Sequence, residues 1–440
     1  MKKISKILGL LLSVCSISLC LFGCAPQGES KLLGSPAKTT SLSYSERQDA
    51  GFLTMNSSAN SFAYDFSEYT YSALGGSGNF AVSPVSVYMA LSVAAECAED
   101  LTREEIVSAL GVSYDTLRTD FSKLYRSLIF EDSDWGRLIG KLSLTNSIWL
   151  NSGMSELNAK QECINSLSNS FYCYSYSADF ANSNKQANRA ITDFVKKQTN
   201  NRIDKDFGIS PEVSFILMNT LYLKDLWNRD GYPLNFTGKK FDFTSSSGSV
   251  KSVKFLNGDY YLGRAYEDET FTHYYTKTAN GYRLKFILPK EGYSVDDVFT
   301  AENIEKINTL SDYNALDEEN LIRYNTHCQF PEFSASFDSD VKGILQNHFN
   351  IKSMFNADTS NFSSISDMRT YCSEVRHTAN LTVNKNGIEG AAVTIMDFAG
   401  SPGPDEYTDV YVDFVVDRAF GYVITDYSNT VVFAGVVNGI

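Results

Sequence analysis

An α+β fold in a single large domain is predicted for this chain by three features of its 440 residues. Amphipathic helical patterns concentrate early and long β-branched and aromatic runs come late, without the regular alternation of a βαβ series. No linker-like stretch interrupts the chain after residue 56, so the length prior of about 150 residues per domain overstates the number of domains. Apolar residues make up 43% and aromatics 13%, with 26 Tyr and 29 Phe, which is enough for one sizeable core, and no internal repeat divides the chain.

The elements follow in order. Lys2, Lys3 and Lys6 form a basic start, and Ile7 to Phe22 is an apolar run without charge. At about 16 residues it is short for a membrane span and typical of a signal h-region. It ends in Leu21-Phe22-Gly23-Cys24, which resembles the lipobox of bacterial lipoproteins, with Phe22 where a small residue is usual. That resemblance implies a signal peptide over 1–23, lipidation at Cys24 and an extracellular, membrane-anchored location at the cell surface. The alternative is a plain signal peptide cut nearby. A single acyl chain anchors weakly, so two or three are required. Residues 24–56 are rich in Ser, Thr and Gly and read as a flexible tether. Val85 to Leu110 reads as two short helices, the second opened by a capping box, Thr102-x-x-Glu105, and stopped at Gly111. Ala187 to Val195 is a further amphipathic helix, ending near Asn200-Asn201. Ser214–Leu223, Arg283–Leu288, Asp409–Val416 and Val431–Val437 read as strands.

Charge and motif content exclude several functions. The formal net charge is −14, and removal of residues 1–23 takes three Lys and no acid, leaving −17. Nucleic acid therefore finds no basic surface. Of eight Cys, Cys15 and Cys20 fall in the signal and Cys24 at the lipobox. Cys97, Cys163, Cys173, Cys328 and Cys372 have no C-x-x-C spacing and read as buried thiols, with a pairing of Cys173 left open. There is no G-x-S-x-G, H-E-x-x-H, P-loop or G-x-G-x-x-G. The four His stand apart from one another, so neither a metal, a cofactor nor an enzymatic activity is predicted. Asp296-Asp297 and Glu318-Glu319 read as solvated faces.

Six segments, in chain order, are more specific. Asn79-Phe80-Ala81-Val82-Ser83-Pro84-Val85-Ser86 resembles the N-x-x-x-S-P-x-S segment of serpins. Leu142-Ser143-Leu144-Thr145-Asn146-Ser147-Ile148-Trp149 resembles their L-x-x-A-N-x-x-W/F strand. Ile191-Thr192-Asp193-Phe194-Val195, with Thr199-Asn200, is similar to I-N-x-W-V-x-x-x-T-N. Leu217-Met218-Asn219-Thr220-Leu221-Tyr222-Leu223-Lys224, with Trp227, is similar to L-x-N-A-I-Y-F-K-G-x-W. Phe414-Val415-Val416-Asp417-Arg418-Ala419-Phe420 resembles F-x-A-D-H-P-F, and Phe433-Ala434-Gly435-Val436-Val437-Asn438 resembles F-x-G-R-V-x-N-P. Together they span about Ser57 to Ile440. The resemblance implies a large, mostly antiparallel central sheet with two further sheets, about eight or nine helices and an exposed reactive-centre loop near 385–412.

It also implies a serine-type endopeptidase inhibitor that acts as a suicide substrate, its cleaved loop entering the central sheet as a new strand with the acylated protease attached. After Val383, Asn384 to Thr394 resembles the hinge V-N-E-E-G-T-E-A-A-A-A-T; Lys385, Asn386, Gly387, Ile388, Glu389, Gly390, Ala391, Ala392, Val393 and Thr394 are the candidate hinge residues. Lys385-Asn386, Ile388, Gly390 and Val393 depart from that pattern. Side chains alternate faces in a strand. One face carries Ile388, Gly390, Ala392, Thr394, Met396 and Phe398 without a charge, and the other carries both Glu389 and Asp397. That division suits a strand covering a core.

Hinge spacing places the scissile bond after Ser401, but Pro402 is a poor leaving-side residue, so Met396, Phe398, Ala399 and Gly400 are further candidates. No Lys or Arg lies between Thr394 and Asp417, which points to elastase-like or subtilisin-like targets. By resemblance, Ser83, Ser86, Asn219 and His377 form the shutter beneath the opening of the sheet, and Trp227 marks the breach where insertion begins. Basic residues between Tyr114 and Lys141 are scattered, so no polyanion activator is expected. The partners read from the sequence are a serine protease, in a covalent acyl complex, and a membrane through the lipid anchor only; the chain itself is expected to be a monomer. The alternatives are a non-inhibitory member of the family, acting as protease substrate or binding protein, and a surface solute-binding lipoprotein.

Overall fold

The computed structural model describes residues 30–230, 232–310, 316–317, 322–388 and 408–440. Its largest sheet is built from Ser30–Gly34 (β1), Phe130–Asp134 (β2), Arg137–Asn151 (β3), Cys173–Ala178 (β4), Phe215–Leu226 (β5), Phe333–Asp340 (β6), Arg376–Asn384 (β7) and Gly387–Ile388 (β8). The order is β1-β4-β3-β5-β8-β7-β6, with β2 paired to β3 beside this path. Only β3 and β4 run parallel; the other pairs are antiparallel. A second sheet of six strands includes Phe80–Val82, Phe271–Lys277, Arg283–Pro289, Phe420–Thr425 and Val431–Val437, and a third of five includes Phe236–Thr244, Val250–Leu262, Ile322–Pro331 and Thr408–Val415. Among the described residues there are nine α-helices: Ala50–Leu74 (α1), Pro84–Cys97 (α2), Asp100–Ala109 (α3), Tyr114–Leu128 (α4), Gln161–Ser170 (α5), Asn184–Gln198 (α6) and three short ones, Val295–Val298, Ala301–Thr309 and Lys342–Asn347. Three sheets and nine helices agree with the predicted class.

α2 shows how sequence becomes architecture. Pro84 opens it, its fixed φ suiting the first helical position and its missing N–H costing nothing there. Every residue except Ala90 is buried, because the helix is apolar nearly all round and lies between β5 and the strand Val431–Val437. α6 is instead amphipathic; Ala187, Ile191, Phe194 and Val195 pack on Trp149, and the left-handed Asn200 and Asn201 (φ 49° and 62°) end its run as predicted.

Two local expectations are corrected. The box Thr102-x-x-Glu105 does not cap α3, which starts earlier, with Glu99 at the N-cap. Thr102 is buried and its hydroxyl accepts from Asn361 N–H, while the Glu105 carboxylate accepts from the N–H groups of Lys352 and Ser353. Both side chains are drawn off by a remote loop whose amides need acceptors. The tether is also shorter than its composition implied. Ser30–Gly34 pairs with β4 as an edge strand, and Leu42 is buried with its N–H on Arg126 O. Arg47 donates to Ser127 O and Ser428 Oγ. Backbone pairing needs no sustained apolar pattern, so a segment with little more than Leu33 and Leu42 to bury could dock without announcing it. Cys24 lies outside the described residues.

Cys97, Cys163, Cys173 and Cys328 are buried and Cys372 is half-buried, all as free thiols. Burial raises Cys173 and Cys328 well above the ordinary thiol range and Cys372 to about 12, so these three stay protonated.

Candidate functional site

The site lies where β8 enters the large sheet. Gly387 pairs with Asn384 on β7 and with Leu226 on β5; Ile388 pairs with Val383 and Asp225. The chain reaches this position by a turn fixed at each step. Lys385 N–H donates to Glu332 Oε1 (2.7 Å), Asn386 N–H to Asn384 Oδ1 (2.8 Å), and Lys385 O accepts from Leu234 N–H (2.7 Å). Gly387 has φ +146°, and a Cβ there would lie 2.3 Å from Asp225 O and 2.9 Å from Leu226 Cα. Only glycine satisfies both the angle and the approach. Ile388 is fully buried. Its bulk, a departure from the family's hinge pattern, is therefore accommodated in the core. Glu389, Gly390, Ala391, Ala392, Val393 and Thr394, and the scissile candidates Met396, Phe398, Ala399, Gly400, Ser401 and Pro402, lie outside the described residues.

Beyond Ile388 no ladder joins β5 directly to β7 among the described residues. Phe215 to Asn219 of β5 are half-buried, whereas their partners on β3 from Asn146 to Leu150 are buried. A cavity of about 510 Å³ lies between the two strands, floored by Ser83, Ser86 and Leu91 of the α2 region and walled by Leu217, Leu221 and Leu381. An open strand edge presents unpaired N–H and C=O groups, which accept another strand.

The shutter candidates all line this cavity, but they do not form one cluster. Ser83 N–H donates to His377 Nε2 (3.0 Å) and the Ser83 and Ser86 hydroxyls lie 3.0 Å apart. Asn219 is across the gap. Its Nδ2 donates to Asn146 Oδ1 on β3 (2.8 Å), and its buried Oδ1 has no partner among the described residues. Asn146, also in the motif of its strand, is the residue missed here; its Nδ2 donates to Phe171 O. At the breach, Trp227 packs on Phe330 and its Nε1–H donates to Asn384 O (2.7 Å), so it holds the last residue of β7 next to the hinge.

Burial holds His377 neutral, with its pKa lowered from 6.5 to about 4, and likewise lowers His273 to about 3. Each group takes up a proton on unfolding below 6.5. Their contribution to stability is complete above that pH and is lost as pH falls toward 4. Each should impose a slope of up to about 1.4 kcal/mol per pH unit in that window. Urea midpoints measured between pH 4 and 6.5 should therefore fall less steeply in His377→Gln, whose amide oxygen can still accept from Ser83 N–H; an unchanged slope would show that His377 titrates normally.

Gly387 and Ile388 thus enter between two strands beside an open slot, and comparison with known proteins decides the family. The family model for serpins (serine protease inhibitors) matches residues 57–439. The chain belongs to the serpin family. A putative serpin-Z6C of Oryza sativa is 25% identical over 83% of this chain and 91% of its own length. Among solved structures, the native state of tengpin, a thermophilic serpin, superposes with a TM-score of 0.69 at 21% identity, covering 92% of this serpin and 97% of tengpin. Thyroxine-binding globulin in complex with thyroxine has the same TM-score and identity, with 88% and 99% covered. These likenesses show the fold. Serpins are typically protease inhibitors and not enzymes, and the family also includes members that bind small molecules.

One further residue of the site escaped the sequence reading. Where the serpin motif L-x-N-A-I-Y-F-K-G-x-W has glycine, this chain has Asp225. The departure itself was the available signal; what it does is visible only in the fold.

Proposed function

We propose that this serpin is a suicide-substrate inhibitor of an elastase-like or subtilisin-like serine endopeptidase, displayed on a bacterial cell surface through a lipidated Cys24. The observation that carries the reading is β8, which already occupies the top of the slot with Ile388 turned into the core. That burial supports the phase read from alternation, in which Gly390, Ala392, Thr394, Met396 and Phe398 follow Ile388 onto the core side. Continued in the register Ile388–Asp225, insertion would bring Thr394 opposite Asn219, whose Oδ1 has a lone pair to offer a hydroxyl. The protease supplies the nucleophilic serine, and its acyl ester with the loop would travel with the inserting strand. This chain supplies the bait and the slot.

The strand topology also supports an anchor at the N-terminus. Ser30 lies opposite Ala178, which lies opposite Asn151, whereas Gly387 pairs with Leu226 at the other end of β5. From Asn151 to Gly140, the partner of Asp225, β3 spans roughly 36 Å. A membrane attached just before Ser30 would leave the loop at the distal pole.

The test is to mix the purified full chain with neutrophil elastase and with subtilisin and to run denaturing gels. A band at the summed mass is expected, with the released C-terminal fragment locating the scissile bond among Met396 to Pro402 by mass spectrometry. Clean cleavage without any such band would instead support a non-inhibitory role, as substrate or as binding protein. Mass spectrometry of the N-terminal peptide reads whether Cys24 carries acyl chains.

A further inference from the structure

Asp225 is fully buried on the core side of β5, next to the hinge. Its Oδ2 accepts from Thr278 Oγ1 (2.5 Å) and Asn280 N–H (3.2 Å), and its Oδ1 from Asn280 Nδ2 (2.7 Å) and Leu226 N–H (3.1 Å). Ala279 N–H adds a bond to Leu226 O (2.7 Å). The turn joining the strands Phe271–Lys277 and Arg283–Pro289 of the second sheet is thereby fastened to the end of β5 where β8 enters. Gly140 makes room for it: a Cβ there would stand 2.4 Å from both Asp225 Oδ1 and Asn280 Nδ2. The main chain of the same aspartate pairs with Ile388, and its carbonyl oxygen is the atom that forbids a side chain at position 387.

We propose that Asp225 is a positioning residue for loop insertion: its carboxylate clamps the Thr278–Tyr282 turn onto β5, and loss of its charge loosens the entrance through which the chain after Ile388 passes into the sheet. This rests on the insertion mechanism proposed above. The chemistry of the clamp makes it sensitive to protons. All four contacts are donors to an anion, and such charge-assisted bonds are about twice as strong as neutral ones. A protonated carboxyl must itself donate. Thr278 Oγ1 can accept that proton by turning its own hydrogen to Tyr282 O, 3.3 Å away, so one clamp bond changes direction and the others weaken.

Among the described residues, no cation lies against Asp225. The groups facing Asp225 from the neighbouring elements are Gly140 and Phe130 on β3 and β2, Gly387 and Ile388 on β8, and Thr278, Asn280 and Tyr282 on the turn. Tyr282 is buried, and its ionisation is pushed well up by burial and by Asp426 and Asp225. Lys141 and Glu131 bond to each other at the surface, and Arg47 reaches Asp426, 3.8 Å away. Burial consequently raises Asp225 to about 7, against the pull of its donors.

The experiment follows insertion by stopped-flow tryptophan fluorescence after saturating subtilisin cuts the loop of the full chain, from pH 6 to 8. Wild type and Asp225→Asn are compared at each pH, which cancels the protease's own profile. The ratio of wild-type to variant rate should fall about tenfold from pH 6 to 8, with its inflection near 7, as the inserting protonated form is depleted. Thr278→Val, which leaves the charge and removes one donor, should move the inflection to higher pH and serves if Asp225→Asn fails to fold. Parallel profiles and an unmoved inflection, in proteins whose cleavage still raises the melting temperature, overturn the clamp alone. Cleavage that never raises the melting temperature at any pH overturns the insertion mechanism and the clamp with it.

Discussion

Substituting Ala392 by Arg should turn the protein from a trap into a substrate. Ile388 sets the phase of the inserting strand, because it is buried and opposite Asp225. Carried on by four residues, that register puts position 392 opposite Leu221, on the face that meets α2 and the Ser83–His377 contact. Leu217 and Leu221 on this face pack against the main core. Among the described residues the one carboxylate lining this cavity is Glu374, which pairs with Arg376, so a guanidinium pressed in beside Leu221 stays unpaired, and an unpaired buried charge costs several kcal/mol. Insertion then stalls while deacylation proceeds. With elastase or subtilisin, the expected result is loss of the summed-mass band, an unchanged rate of loop cleavage, and a cleaved product that melts no higher than the intact protein. An undiminished complex band would show that the strand enters in another register or not at all. On the proposed mechanism, the small side chains of Gly390 and Ala392 suit the slot through which they would pass.

Gly387→Val should undo the start of insertion without touching the loop beyond it. The angle of +146° is strained for any residue with a Cβ, and the carbonyl of Asp225 stands 2.3 Å from where that atom would be. The neighbours are backbone, which cannot swing aside as a side chain can. Strain and overpacking together should cost on the order of 3 kcal/mol, enough to expel β8 from between β5 and β7. Loss of β8 would expose Ile388 and free Asn384, whose carbonyl the Trp227 indole now holds. Trp227 emission should shift red, the melting temperature should drop by several degrees, and Lys385 should become a site of trypsin nicking. Unchanged emission and melting would mean that β8 tolerates a side chain and that the close approach to Asp225 is not a constraint.

Both results depend on features that were legible in unequal measure. The alternation from Ile388 onward and the ordered motifs from Asn79 to Asn438 can be read from the chain, because each is a local pattern of residue type; the need for glycine at 387 comes from the backbone of Asp225 and Leu226 on another strand. The strand Val431–Val437 is predicted at its observed limits, since a seven-residue apolar run with paired valines at both ends is too short for a typical helix and suits a buried strand. The capping box at Thr102 was misread for the opposite reason. Its side chains could satisfy either their own helix or a distant loop, and the loop at Lys352–Ser353 was the better customer. Ser30–Gly34 is hidden because it is held largely by main-chain bonds to β4, with Leu33 packed on the core, a pattern too short to stand out in a Ser/Thr-rich stretch.

The shutter shows the same division within one site. Residue type marked Ser83, Ser86, Asn219 and His377, but the hydrogen bonds separate Asn219 from the other three and give it to Asn146. Which acceptor a buried amide finds is decided by the distance between two sheet strands, not by the segments that carry the side chains.

By itself, then, the sequence determined the family and the fold class and marked Gly387-Ile388 as hinge candidates, all of which are properties of neighbours along the chain. Only the tertiary structure decided that the N-terminal segment is part of the large sheet, that β5 and β7 stand apart below Ile388, and that an aspartate in place of a motif glycine is buried among donors. Asp225 meets Gly140 from β3 and Thr278 and Asn280 from the turn of the second sheet, two elements far from it in sequence. Its charge depends on the dielectric and the dipoles those elements bring together, and neither exists until the chain has folded.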